Sequence, residues 1–185
     1  YKMDGVDLRE GELFSEFCGG ICRGSYKNSP LIQVRDWSKG RFRGPRTFRF
    51  REEISPECEL SGDPDGNGTR VILDVAADNP EESGSSLLAM TGMDGVRYGG
   101  RNSVLFNQLD VATLGKTGDA TNRYFRRAVG GLDRLAKGQG VIIFKGETAE
   151  MGPCIGSENP DGLIKYVWSG VMLSVFHPNV DIDSG

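Results

Sequence analysis

The stretch Gly-Asp-Pro-Asp-Gly-Asn-Gly-Thr-Arg at residues 62–70 gathers the residue types that handle metals and phosphates. Asp63, Asp65, Asn67 and Gly68 have the spacing that opens an EF-hand loop, whose twelfth position is filled by Asp74. A sensor-type calcium loop needs a bidentate Glu there and a helix on either side, whereas Asp74 lies in the strand-like run Thr-Arg-Val-Ile-Leu-Asp-Val-Ala at 69–76. No Gly-Lys-Ser/Thr follows the glycines, so this is not a Walker loop. What remains is a Gly-rich turn with two carboxylates, backbone N–H groups, and Thr69–Arg70 at its exit. Those are parts for a Mg²⁺-phosphate site, with carboxylate on metal and N–H groups and Arg on phosphate oxygens. A plain turn leading into a strand explains the same residues.

Two further segments share this character. Residues 1–7, Tyr-Lys-Met-Asp-Gly-Val-Asp, pair Lys2 with two acids around a glycine, and residues 145–151, Lys-Gly-Glu-Thr-Ala-Glu-Met, place Glu147, Thr148 and Glu150 just past a buried strand. Polar clusters at strand ends are where ligand sites tend to form, and solvated turns are the plain alternative for each.

The elements that would position these groups can be read from patterning. The strand at 69–76 leads into a turn-rich connection, then helix formers at 85–93, a strand at 103–112, and a loop ending at Asp119, which is placed to cap a helix. That helix runs to about Lys137, with Phe125, Ala128, Val129, Leu132, Leu135 and Ala136 at helical spacing and Gly138 where a helix commonly stops. Gly130 and Gly131 are expected to permit close packing on the sheet. Strands at 140–145 and 163–176 follow, and residues 1–20 and 177–185 read as loosely held. The order describes an α+β fold, a mixed or antiparallel sheet with helices on one face.

The chain has 185 residues, enough for a single domain over 1–185 with its own core. No apolar run approaches the roughly 18 residues a membrane span needs, so no membrane partner is expected. The sequence begins at Tyr1 without a Met, a signal stretch or a presequence, so a trimmed start and a cytoplasmic location are expected. Cys18, Cys22, Cys58 and Cys154 lack zinc-site spacing and His177 is the single histidine, which favours free thiols. The net charge of −4 conceals an asymmetry: residues 23–51 carry nine Lys/Arg against Asp36 alone, an excess of +8 that leaves −12 elsewhere. Trp37, Phe42, Phe48 and Phe50 interleave with these cations. A surface for nucleic acid would have this composition, as would a hairpin that buries its aromatics and solvates its arginines, or a patch attracting a small phosphorylated substrate.

Taken together the motifs resemble the N-terminal domain of phosphoribosylformylglycinamidine cyclo-ligase, the aminoimidazole ribonucleotide (AIR) synthetase or PurM-type family. Its superfamily includes formylglycinamidine synthetase, selenophosphate synthetase, HypE and ThiL. The resemblance rests on Tyr1, Lys2, Gly5, Val6 and Asp7; on Asp65-Gly66-Asn67-Gly68-Thr69-Arg70 in place of Asp-Gly-Val-Gly-Thr-Lys; on Asp94 with Gly99-Gly100-Arg101-Asn102 as an altered Asp-x4-Gly-Ala-x-Pro; and on Gly-Glu-Thr-Ala-Glu-Met, intact from Gly146 to Met151. It runs to about Asp183 and is poorest over 18–55.

The resemblance implies a PurM N-terminal-like α+β fold and an ATP- and Mg²⁺-dependent ring closure of formylglycinamidine ribonucleotide in purine synthesis. It implies Mg²⁺ on Asp65 and Asp94, phosphates held by Lys2 and Arg70 with Gly66 and Gly68, and Thr69 and Glu147 at the reacting centre. It also implies a homodimer, a phosphorylated ribonucleotide as substrate, and a family C-terminal domain that this chain does not contain. The sequence departs from the family where Asp-Leu-Val-Ala-Met-x-x-Asn-Asp is replaced by Ser86-Leu87-Leu88-Ala89-Met90-Thr91-Gly92-Met93-Asp94. One metal carboxylate and one Asn are thereby missing. Lys has become Arg70, and the family's Gly-rich nucleotide-covering loop is replaced by the basic, aromatic 35–51 segment. A non-catalytic dimerising scaffold and a nucleic-acid-binding domain are the rival readings.

Overall fold

The computed structural model describes residues 7–36, 46–50, 58–61, 71–72, 79–97, 99–155 and 164–175. Helix α1, Leu8–Ser25, opens on Asp7, whose carboxylate accepts from Arg9 N and Glu10 N. The expectation that residues 1–20 are loosely held is therefore corrected from residue 8 onward. Four glycines lower the propensity of this segment, but Phe14 is fully buried and Phe17, Cys18 and Ile21 pack on the core. Tertiary packing outweighs local preference here.

A hairpin follows, β1 (Ile32–Asp36) antiparallel to β2 (Arg46–Phe50), as the alternation of the basic segment predicts. Phe48 packs edge-on against Phe144 at 5.1 Å between ring centroids, while Arg49 is exposed and donates Nε–H to Gln33 Oε1 at 2.8 Å.

The main sheet runs β3 (Cys58–Ser61), β7 (Tyr166–Val175), β5 (Arg101–Val111), β6 (Ile142–Glu150), with β4 (Val71–Ile72) also on β7. β5 and β6 are parallel and the other pairs antiparallel, giving a mixed sheet. Helices α2 (Pro80–Arg97) and α3 (Ala120–Gln139) join α1 on one face. There Leu105, Leu109, Ile143, Trp168 and Met172 meet Phe14, Leu87, Leu88, Phe125 and Leu132. On the opposite face a smaller cluster of Val104, Ile142, Phe144 and Leu173 is covered by Ile32, Val34 and Phe48 of the hairpin. The two-residue alternation of strands sends successive side chains to these two clusters.

Three boundaries differ from expectation. α2 begins at Pro80, earlier than the helix expected at 85–93, because Pro suits the first helical position and Glu81 and Glu82 complement the helix dipole. α3 ends at Gly140, whose φ of 72° forms the left-handed cap expected of Gly138. β6 extends well past residue 145, because residues 145–150 keep pairing with residues 106–111 of β5. Asp119 does occupy the N-cap of α3, but its Oδ2 accepts from Lys116 N rather than from the helix. No described helix is long and apolar enough to cross a membrane.

Candidate functional site

The extension of β6 places the Gly-Glu-Thr-Ala-Glu motif inside the sheet rather than beyond it. Successive residues then alternate between its faces. Gly146 lies beside Asn107, whose amide donates to Lys145 O and accepts from Trp168 Nε1–H at 3.1 Å. Thr148 lines a cavity of about 20 Å³ with Cys18, Leu109 and Trp168, large enough for about one water and too small for a substrate. Glu150, on the same face, accepts from Leu114 N at 2.7 Å, and burial, together with the charge of Asp7, raises its pKa against that hydrogen bond. Glu10 similarly accepts from Thr117 N and Thr117 Oγ1 at 2.8 and 2.6 Å. Glu10 and Glu150 therefore tether the loop between β5 and α3, a role that the sequence reading gave to neither.

Glu147 points the other way, to the sheet face opposite the helices, and is exposed. It pairs in register with Gln108, which in turn pairs with Ser169 on β7. Gln108 Nε2 donates to both oxygens of Asp110 at 3.0 and 3.2 Å. A polar row thus crosses three strands at one level.

The segment carrying Asp65, Gly66, Gly68, Thr69 and Arg70 lies outside the described residues, as does Lys2, but the strands that flank the segment, β3 and β4, are described. Ser61 pairs with Met172 and Val71 with Trp168, so the 62–70 segment leaves and rejoins the same edge of β7 across Ser169–Val171. Nine residues span three. The point of return, Val71 opposite Trp168, adjoins Ser169 of the Glu147–Gln108–Ser169 row, and between the two ends lies Gly170, against which Thr91 and Leu87 of α2 pack. Asp94 is on that same helix, which lies across the sheet from Glu147. The fold thus brings the ends of the Asp65 segment to the part of β7 on which α2 packs, and it turns Glu147 to the sheet face opposite that helix.

Among the described residues no three His, Cys, Asp or Glu side chains converge as a metal site would require. α2 carries Ser86 and Met93 where the family pattern has Asp and Asn, and Met93 is 63% exposed. A thioether is no ligand for a hard cation such as Mg²⁺. The described part of the helix does not supply a magnesium ligand set.

Comparison with known proteins gives a consistent picture. No protein-family model matches the chain. It is 28% identical over 151 residues to a phosphoribosylformylglycinamidine cyclo-ligase of Thermodesulfovibrio yellowstonii, covering 82% of this chain and 40% of that protein. It is 26% identical over 159 residues to the enzyme of the same name from Alkaliphilus oremlandii, covering 86% and 42%. The chain therefore spans about two-fifths of the length of these curated relatives. Among solved structures, Escherichia coli HypE aligns with a TM-score of 0.50 at 10% identity over 88% of this chain and 43% of that one, a likeness of fold. The α+β architecture is thus shared with HypE, and in sequence the chain resembles the phosphoribosylformylglycinamidine cyclo-ligases as a divergent relative.

Proposed function

We propose that this chain is the ATP-binding, dimerising N-terminal domain of a divergent cytoplasmic AIR synthetase. The complete enzyme would transfer the ATP γ-phosphoryl group to the amide oxygen of formylglycinamidine ribonucleotide, after which an internal nitrogen attacks the activated carbon and phosphate leaves. The observation that carries this reading is the sequence similarity to two cyclo-ligases over more than four-fifths of the chain. The roles assigned are phosphate contacts from Lys2 and Arg70, backbone N–H donors at Gly66 and Gly68, and Thr69 and Glu147 beside the reacting amide. Such chemistry asks the protein to position charge rather than to supply a nucleophile. Mg²⁺, if held, would rest on Asp65 and Asp94, and would neutralise phosphate charge.

Glu147 lies on the sheet face opposite α2, which supports a site completed by a second copy and by a further domain. In a homodimer built on the exposed part of the sheet face that carries Glu147, Glu147 would meet the partner rather than its own α2. The replacement of metal-binding side chains by Ser86 and Met93 favours a second reading, a dimerising scaffold that has lost the chemistry.

Calorimetric titration of the chain with ATP, with and without Mg²⁺, tests the proposal. Saturable, metal-dependent binding that Asp65→Asn weakens about tenfold or more, as the loss of a charge-assisted contact predicts, is the expected result. Absence of binding in the dimer would overturn the nucleotide-binding reading and leave the scaffold. A monomer by light scattering at high concentration would remove the dimer.

A further inference from the structure

Cys18 and Cys22 stand one turn apart on α1, a spacing that puts both side chains on one face of the helix. Cys22 is buried, Cys18 is half-buried, and neither is in a disulfide. Both border the cavity of about 20 Å³ that Thr148 lines, with Leu109, Val129 and Trp168 among its walls. Packing accounts for a single buried thiol, which behaves as a small hydrophobe. Two thiols beside a void ask for more, because unfilled core volume forfeits contacts that a longer apolar side chain at either position would recover.

The chemistry of the cavity narrows what could fill it. It has room for an occupant no larger than about one water. The Asn107 amide is already engaged, its oxygen by Trp168 Nε1–H and its nitrogen by Lys145 O, which leaves the Thr148 hydroxyl as the other polar side chain in the lining. Among the described residues no third His, Cys, Asp or Glu joins the two thiols in a metal-binding group. Structural zinc takes four ligands, so two thiols do not make a zinc site. Thiolates in apolar surroundings suit a soft ion of low coordination number instead, and Cu(I) is the biological case. Burial and the Cys22 thiol push the Cys18 pKa up to about 12, so its proton stays on in water at neutral pH, whereas coordination to a metal deprotonates a thiol outright. Both S–H protons would pass to solvent, leaving a Cu(I) bis-thiolate with one negative charge. Arg126, whose guanidinium stacks on Phe17 at 4.6 Å and whose charge already acts on the Cys18 thiol, is placed to offset it.

We propose that Cys18 and Cys22 form a two-coordinate site for Cu(I) at the cavity between α1 and the sheet. The site is independent of the Asp65 segment and of the cyclo-ligase reading.

The test is anaerobic titration of the fully reduced chain with Cu(I) in competition with the chelator ferrozine. The expected result is that one equivalent of copper moves from the chelator to the protein, where X-ray absorption finds two sulfur ligands. Cys18→Ser and Cys22→Ser should each leave the copper on the chelator, with circular dichroism as in the parent. Cys58→Ser combined with Cys154→Ser keeps only the proposed pair and should take up one equivalent as the parent does, so the proposal can fail even where the first two variants do not fold. No uptake by that double variant, uptake that survives Cys22→Ser, or three or four sulfurs around the copper would each overturn the proposal. So would Zn²⁺ held as tightly as Cu(I), since two thiolates do not complete a zinc site.

Discussion

Gly84 on α2 and Gly131 on α3 are reciprocal contact points. A Cβ on Gly84 would strike Ala128 O and lie 2.8 Å from Leu132 N, and a Cβ on Gly131 would strike Glu81 O and lie 2.7 Å from its carbonyl carbon. The two helices cross with backbone against backbone, and the close packing expected of Gly131 is therefore made with α2, not with the sheet.

Gly131→Ala should accordingly destabilise the fold by about 1–3 kcal/mol, the usual cost of forcing extra volume into a packed contact. Gly130→Ala, one residue away, meets only Arg134 Nη1 at 3.9 Å and should stabilise by roughly 0.5–1 kcal/mol through helix propensity. Urea denaturation of the two variants gives opposite signs if the helices meet as described. Equal effects would mean that α2 does not rest on Gly131.

Glu150 gives a pH signature. Its pKa is raised, first by burial and further by Asp7, and its hydrogen bond from Leu114 N opposes the shift. An acid with a raised folded pKa binds more protons folded than unfolded, so its contribution is fully present below the unfolded value near 4.5 and is lost as pH rises through the folded one. Glu150→Gln keeps an acceptor for Leu114 N and removes the titration. Its stability relative to the parent should therefore improve between pH 4 and pH 7, measured as the difference in urea midpoint. A constant difference would show that Glu150 is solvated in both states.

Which parts of this were legible in advance follows from where the signals reside. α3 and the strands β5 and β7 carry strong apolar periodicity and were readable within a few residues. α1 was hidden because Gly11, Gly19, Gly20 and Gly24 erase its propensity, and only Phe14 and its contacts across the core fix it. The extent of β6 was hidden because residues 145–150 are polar; pairing with β5, a non-local fact, decides it. For the site, the resemblance proposes the Asp65 segment, Asp94 and Glu147, but it could not say that Glu147 faces away from the helix that carries Asp94. The tethering roles of Glu10 and Glu150 needed the loop from Leu114 to Thr117 to be in place.

Cys18 and Cys154 should differ sharply in reactivity. Burial, and then the neighbouring Cys22 thiol, pushes the Cys18 pKa up to about 12 despite Arg126 nearby, whereas Cys154 is exposed. Alkylation requires the thiolate and access. Iodoacetamide at pH 8 should modify Cys154 in the native protein and Cys18 only after urea unfolding, read by peptide mass spectrometry. Comparable native rates would show that α1 is not docked on the sheet.

The hairpin should open without the rest of the fold. Among the described side chains it is attached to the main sheet by Phe48, seated on Phe144 at 5.1 Å and Phe106 at 6.4 Å, together with Ile32 and Val34 in the same small cluster. The larger cluster lies on the other face and includes no hairpin residue. Phe48→Ala should cost about 1–3 kcal/mol, less than a fully buried Phe because Phe48 is only half-buried. That loss should appear as faster hydrogen exchange at 32–36 and 46–50, with protection of β5, β6 and β7 nearly unchanged, as expected when cooperative units differ in stability. Equal loss of protection across the central strands would instead make the hairpin part of the global unfolding unit.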